Sequence, residues 1–127
     1  MQELSAVKYE EKKSRFYAHL YLIDSPDEFF ELLVRHQKLY KKAAHHCSAM
    51  KYEDKEGRVF SESKNDGEVG HPGRVLYSVL ENNGLLTHAI IVSRLFGGIK
   101  LGPAGVSRAF RKSGVCAVKL YLDKKRP

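Results

Sequence analysis

The sequence predicts an α+β fold, a two-layer sandwich of helices on a mixed β-sheet. Apolar residues alternate with a period of two in some stretches and recur every three to four residues in others. One turn-rich interval joins two strand-like runs as a hairpin, and strand-like and helix-like segments interleave along the chain. At 127 residues and 43% hydrophobic content, the chain is sized for a single domain over 1–127 that buries roughly two thirds of its unfolded surface.

The first strong segment, "KSRFYAHLYLI" at 13 to 23, sets Phe16, Ala18, Leu20 and Leu22 against Arg15, Tyr17, His19 and Tyr21, the period of a half-buried strand. A shorter strand around Val7 and Tyr9 is expected to pair with it across "EEKK". In "SPDE" at 25 to 28, Ser25 is the expected N-cap, Pro26 the first helical residue and Glu28 the closing member of a capping box. The helix should run over 26 to 40 with Phe29, Leu32, Leu33, His36 and Tyr40 on one face.

"AHHCSAMKY" and "RVFSES" then flank the turn-rich "EDKEG" as a hairpin. The glycine-rich "KNDGEVGHPG" leads to a short helix built on Val75, Leu76, Val79 and Leu80 and stopped at Gly84. "THAIIVSR" at 87 to 94 is a near-continuous apolar run, suited to a strand covered on both faces or central in the sheet. A last helix begins near Pro103. Its Val106, Phe110 and Ala117 turn to the sheet, while Arg108, Arg111 and Lys112 share another face.

The formal net charge is +7 and is unevenly spread. Between Asn82 and Leu122 there is no Asp or Glu, whereas Arg94, Lys100, Arg108, Arg111, Lys112 and Lys119 all lie there; residues 53 to 68 are by contrast rich in acids. Such a field steers encounters toward polyanions such as RNA or the ribosome surface. The opening "MQELSAVKYEEKKSR" lacks the apolar centre of a secretory signal, so a cytoplasmic location is expected. The longest apolar stretch, "LLTHAIIV", is far short of the roughly 20 residues of a membrane span, so no membrane partner is expected. Cys47 and Cys116 lack metal or redox spacing, so two reduced, mostly buried thiols and no metal or cofactor are expected.

Two stretches are able to carry chemistry. "SRLFGGIKLGPAG" at 93 to 105 joins a strand to a helix through a glycine loop, the arrangement in which free backbone N–H groups and the helix dipole receive an anion. Arg94 and Lys100 would add charge beside Gly97, Gly98 and Gly102. No Walker "GK[ST]" or GxGxxG pattern is present, and the competing reading is a tight corner in which these glycines permit positive φ. In "AHHC", His45 and His46 point to opposite faces of a strand, so one of them would join Asp66, Glu68 or His71 as an acid–base or metal set, against the alternative of a hydrogen-bonded polar cluster. Cys47 beside His46 is a further nucleophile candidate.

"KSRF" at 13 to 16, "AHHCSA" at 44 to 49, "DGE" at 66 to 68 and "SRLFGGIKLGPAGVSRAF" at 93 to 110 together resemble the Impact N-terminal domain family, which includes bacterial YigZ-type proteins and eukaryotic Impact. The motifs follow the family's order over nearly the whole chain. The resemblance implies a fold of the ribosomal protein S5 domain 2-like type and association with nucleic acid or ribosomes more than a settled reaction. In YigZ-type members a ferredoxin-like domain follows; with the sequence stopping at Pro127, that module is expected to be absent. Eukaryotic members place an RWD domain first and regulate translation by interfering with activation of the starvation-responsive initiation-factor kinase, the binding part of which is attributed to the other domain. The chain departs from the family pattern at Asn65, where an acid is usual, in the shorter "VGHPG", at Leu95, where an aromatic is usual, and at Pro103 and Ala104.

The expected function is therefore that of a non-enzymatic domain docking RNA or ribosomal surface, linked to regulation of translation. Arg94, Lys100, Arg108, Arg111 and Lys112 would contact phosphates, and Gly97, Gly98 and Gly102 would present backbone donors. Two alternatives stand beside it. One is an enzyme of unknown reaction using His45 or His46 with Asp66 or Glu68; the other is a protein-interaction module in translation control.

Overall fold

A computed structural model describes residues 1–126. Its elements are β1 (Gln2–Glu11), β2 (Ser14–Leu22), α1 (Asp27–Leu39), β3 (His45–Glu53), β4 (Val59–Lys64), α2 (Pro72–Asn82), β5 (Thr87–Leu95) and α3 (Gly102–Lys124). The α+β class and each expected element are present. Among the described residues no helix is long and apolar enough to cross a membrane.

The five strands lie in the order β1-β2-β5-β3-β4, and every neighbouring pair is antiparallel. This corrects the expected mixed sheet. The long apolar run that resembled a parallel strand is buried because it is central, with all seven inner residues of β5 buried.

Burial on both faces needs cover on both sides, and the helices divide accordingly. Toward α2 and α3, the sheet contributes Phe16, Ala18, Leu20, Cys47, Ala49, Ile90 and Val92 to a core with Leu76, Leu80, Val106, Phe110 and Ala117. On the other face, Tyr21, Ile23, Met50, Ala89 and Ile91 pack on Phe29 and Leu32 of α1. The expected two layers thus gain a third element, since α1 stands alone on the face opposite the other two helices. In this arrangement α3 lies over β1 and β2, with Ser5 Oγ donating to the Ala117 carbonyl at 2.6 Å, and α2 lies over β3 and β4.

Two local expectations need correction. Ser25 does not cap α1 through its side chain. The amides of Glu28 and Phe29 instead bond back to the carbonyls of Ser25 and Pro26, and Glu28 Oε1 accepts from the Asp24 amide at 2.7 Å. Of the two free thiols only Cys47 is buried; Cys116 lies on the exposed side of α3.

The α1 face holds a polar chain inside the apolar packing. His36, fully buried, meets Tyr21 OH through Nε2 at 2.8 Å and Ser93 Oγ through Nδ1 at 3.0 Å, and Ser93 Oγ also meets His46 Nδ1 at 2.8 Å. A neutral His36 satisfies all three contacts with donation running either way along the chain, from Tyr21 O–H through His36 and Ser93 to His46 or in the reverse sense with the other tautomers. Burial first, then the neighbouring His19 and His46, push the His36 pKa down to about 3, which keeps the ring neutral near pH 7. Burial also lowers His46 and His88.

For a base with a depressed folded-state pKa, the unfolded chain binds the proton first, so the contribution to stability is complete above the ordinary value of 6.5 and is lost as pH falls from there toward about 3. Urea unfolding followed across this range is expected to show stability declining with acid. In His36→Gln the proton-linked slope should shrink by about one proton; an unchanged slope would place the linkage elsewhere.

Candidate functional site

The loops at one end of the sheet converge on a cavity of about 390 Å³ lined by His45, Glu68, Val69, Arg94, Phe96, Lys100, Leu101, Gly102, Pro103 and Val106. Strand register explains how distant stretches meet there. His45 opens β3 directly across from Arg94 at the end of β5, and both side chains lie on the face covered by α2 and α3. The 65 to 71 loop brings in Glu68, and α3 starts at the cavity's far wall.

At the centre is a buried ion pair. Arg94 Nη1 donates to Glu68 Oε2 at 2.9 Å, with the two side chains 6% and 4% exposed. Arg94 Nη2 donates to Ser14 Oγ at 3.3 Å, and the guanidinium stacks between Phe16 and Phe96 at 5.5 and 5.6 Å from their ring centroids. Its Nε has no partner among the described residues. Arg94 is therefore not the loop-edge phosphate contact expected from its position. Its charge is already committed to a carboxylate, a hydroxyl and two aromatic rings.

The glycine loop is a corner before it is a cradle. Gly98 and Gly102 have φ of +90° and +73°, as the corner reading requires, but Gly97 does not. Gly97 is needed for space: a Cβ there would stand 2.1 Å from the Lys13 carbonyl group. Its amide turns inward, donating to Ser14 Oγ at 3.3 Å, so it is not an outward donor for an anion. Lys100 is exposed on the cavity rim and is the cation the loop does offer.

The histidines part as the strand period requires. His45 Nδ1–H donates to the Asp66 carbonyl at 2.8 Å, leaving Nε2 3.7 Å from Glu68 Oε2. His46 turns to the α1 face and Ser93, while its backbone amide donates to Asp66 Oδ2 at 2.7 Å. His45, Asp66 and Glu68 are thus brought together, but Asp66 serves as a brace for the start of β3. His71 is exposed at the start of α2. Cys47 Sγ–H donates to the Asn65 carbonyl at 3.2 Å, and burial pushes its pKa up, which removes the thiolate a nucleophile needs. Among the described residues no group of three or more His, Cys, Asp or Glu side chains is placed to hold a metal.

Arg108, Arg111 and Lys112 are all exposed on α3, and Lys119 extends the same side two turns on. Arg111 Nη1 reaches Ser78 Oγ of α2 at 3.5 Å. Sequence reasoning missed Ser14 and Ser93, the hydroxyls that tie the two faces of the site to the sheet. A lone serine at a strand end carries no periodicity signal.

The model of the Impact N-terminal domain matches residues 12–118. The chain is 37% identical over 103 residues to the IMPACT family member YvyE of Bacillus subtilis, covering 80% of this chain and 46% of that protein. It is 34% identical over 116 residues to a Thermus thermophilus IMPACT family member, covering 91% of this chain and 60% of that one. Thus the chain spans about half the length of the relatives it matches. A solved structure described as that of a hypothetical protein superposes with a TM-score of 0.75 at 24% identity, covering 91% of this chain and 56% of the other. The two-domain translational regulator Yih1 superposes with 0.62 at 20% identity, covering 94% and 46%. Both likenesses are of fold.

Because Arg94 is buried against Glu68, Glu68→Gln is expected to destabilise the protein by about 3–5 kcal/mol in chemical denaturation, the usual effect of stranding one buried partner. Arg94→Met combined with Glu68→Leu should recover most of that loss. If Glu68→Gln unfolds at the native denaturant midpoint, the ion pair is not what holds the loops together.

Proposed function

The chain belongs to the Impact N-terminal domain family, and from that premise we propose that it is a non-enzymatic domain that docks RNA or ribosomal surface and takes part in the regulation of translation. The regulatory half is supported by analogy with a translational regulator of the same fold. The docking half rests on one observation. Arg108, Arg111 and Lys112 stand exposed on α3 in a stretch without acids from Asn82 to Leu122, and none of the three forms an ion pair among the described residues. A solvated helix face on a stable protein ordinarily mixes signs; a run of unneutralised cations is what a phosphate backbone needs. Lys100 adds a cation at the helix start.

The enzyme alternative gains less. Glu68 is neutralised by Arg94, and Asp66 holds a backbone amide, so neither is a free base beside His45. The protein-partner alternative has a specific observation in its favour: Val69 and Phe96, which line the cavity, and Ile99 in the adjoining glycine loop leave about half of their surfaces exposed (51%, 52% and 43%). That apolar lip would suit a protein surface better than a nucleic acid.

Fluorescence anisotropy of a labelled structured RNA across a salt series tests the proposal. Replacing Arg108, Arg111 and Lys112 together by Ala is expected to reduce affinity and to lower the slope of log K against log salt by about two to three. Wild-type protein that binds no RNA and no ribosomal subunit at low salt would refute it. Ribosome association that survives this triple variant but fails in Phe96→Ser would shift the interface to the apolar lip.

A further inference from the structure

A second basic surface lies away from the α3 stripe, on the opposite face of the sheet. Where α1 ends, Tyr17, Lys38, Leu39, Tyr40, Lys41, Lys42 and Leu95 line an open groove of about 500 Å³. Tyr17 of β2 and Tyr40 stack with ring centroids 4.7 Å apart and planes 22° from parallel. Lys38, Lys41 and Lys42 are exposed and take part in no ion pair among the described residues. Arg15, also exposed, lies two residues before Tyr17 on the same face of β2.

The groove has structural duties that explain only part of it. Lys38 in the last turn of α1 suits the helix dipole, and Tyr40 OH meets His19 Nε2 at 2.6 Å, which fixes the Tyr40 ring in place. Nothing in the packing calls for Lys41 and Lys42, which follow the helix end, or for Leu39 to remain 57% exposed on the groove wall.

We propose that this groove binds a single-stranded RNA segment, the stacked Tyr17–Tyr40 pair serving as a platform for a base while Lys38, Lys41, Lys42 and Arg15 hold the flanking phosphates. Flat aromatic faces set among unpaired cations are the combination that captures unpaired nucleotides; a duplex hides its base faces, and the carboxylates of an acidic peptide present no aromatic face to stack. Tyr40 is pre-oriented by His19, so stacking costs little side-chain ordering. The groove and the start of α3 share one end of the sheet, where exposed Lys13 of the β1–β2 turn, packed against Gly97, and Lys100 of the glycine loop also lie. One strand leaving a structured element on α3 can therefore continue around that end into the groove. The assignment deepens the RNA reading of the preceding subsection and depends on it.

The test uses anisotropy with labelled single-stranded oligouridylate and a blunt RNA duplex, on the whole protein. The Lys38→Ala, Lys41→Ala, Lys42→Ala variant is expected to flatten the salt slope for the single strand by about two, at roughly 0.7 per contact. Tyr17→Leu should weaken single-strand binding about tenfold or more, Tyr17→Phe should bind as wild type, and neither should change duplex binding. Single-strand binding left intact in both the lysine and Tyr17→Leu variants, but lost in the α3 variant, would overturn the groove while sparing the RNA reading. Absence of binding by wild type would overturn both. A polyglutamate peptide competing as well as oligouridylate, with no sensitivity to Tyr17→Leu, would make the groove a plain anion surface and overturn the assignment.

Discussion

Burial of β5 on both of its faces is the constraint from which the rest of the architecture follows. A strand whose side chains alternate between two faces needs apolar cover on each, and Ile90 and Val92 point one way while Ala89 and Ile91 point the other. Cover on one side comes from α2 and α3 and on the other from α1. β2 and β3 flank the strand as antiparallel neighbours, and their near ends set the start of β2, the start of β3 and the exit of β5 side by side. The cavity lies where those ends meet.

At that junction a charge is used as a structural part. Arg94 continues β5 onto the α2 and α3 face, where an apolar side chain would be expected, and it survives there because Glu68, Ser14 and two aromatic rings surround it. A buried ion pair contributes little net stability, yet separating its partners is costly. Its effect is to hold the 65 to 71 loop, the β1–β2 turn and the glycine loop in one arrangement. Gly97 adds to this by letting the loop backbone approach Lys13 more closely than any side chain would permit. The basic side chains that remain free, on α3, at Lys100 and beside Tyr17 and Tyr40, are therefore displayed on a braced frame.

The same sheet separates two histidines that are neighbours in sequence. His45 joins the cavity, and His46 joins the buried chain through Ser93 and His36. Ser93 and Arg94 divide in the same way on β5. The sheet thus holds the buried histidine chain of the α1 face apart from the cavity of the α2 and α3 face, and Asp66 touches both, its carbonyl accepting from His45 and its carboxylate from the His46 amide.

Much of this was legible in the residues. Alternation marked β2 as a strand but misread it as half-buried, since α1 buries His19 and Tyr21 on the side expected to be open; spacing marked the buried faces of α2 and α3, and the unbroken apolar run marked β5 as central. The opposition of His45 and His46 also followed from the strand period alone. The strand order, the wholly antiparallel pairing and the separate side taken by α1 were not legible, since periodicity states that a face is buried and not what buries it. Position misled for Arg94: a cation at the mouth of a glycine loop looks available, and only the tertiary approach of Glu68, 26 residues earlier in the chain, reveals that it is spent. Lys41, Lys42 and Tyr17 carried no joint signal because 24 residues separate the last two, and only the return of α1 across the sheet sets Tyr17 against Tyr40. What local sequence determined, then, was which side of each element is apolar and where the charge lies; which charges are neutralised and which remain available was decided by contacts between distant segments, which exist only once the sheet has formed.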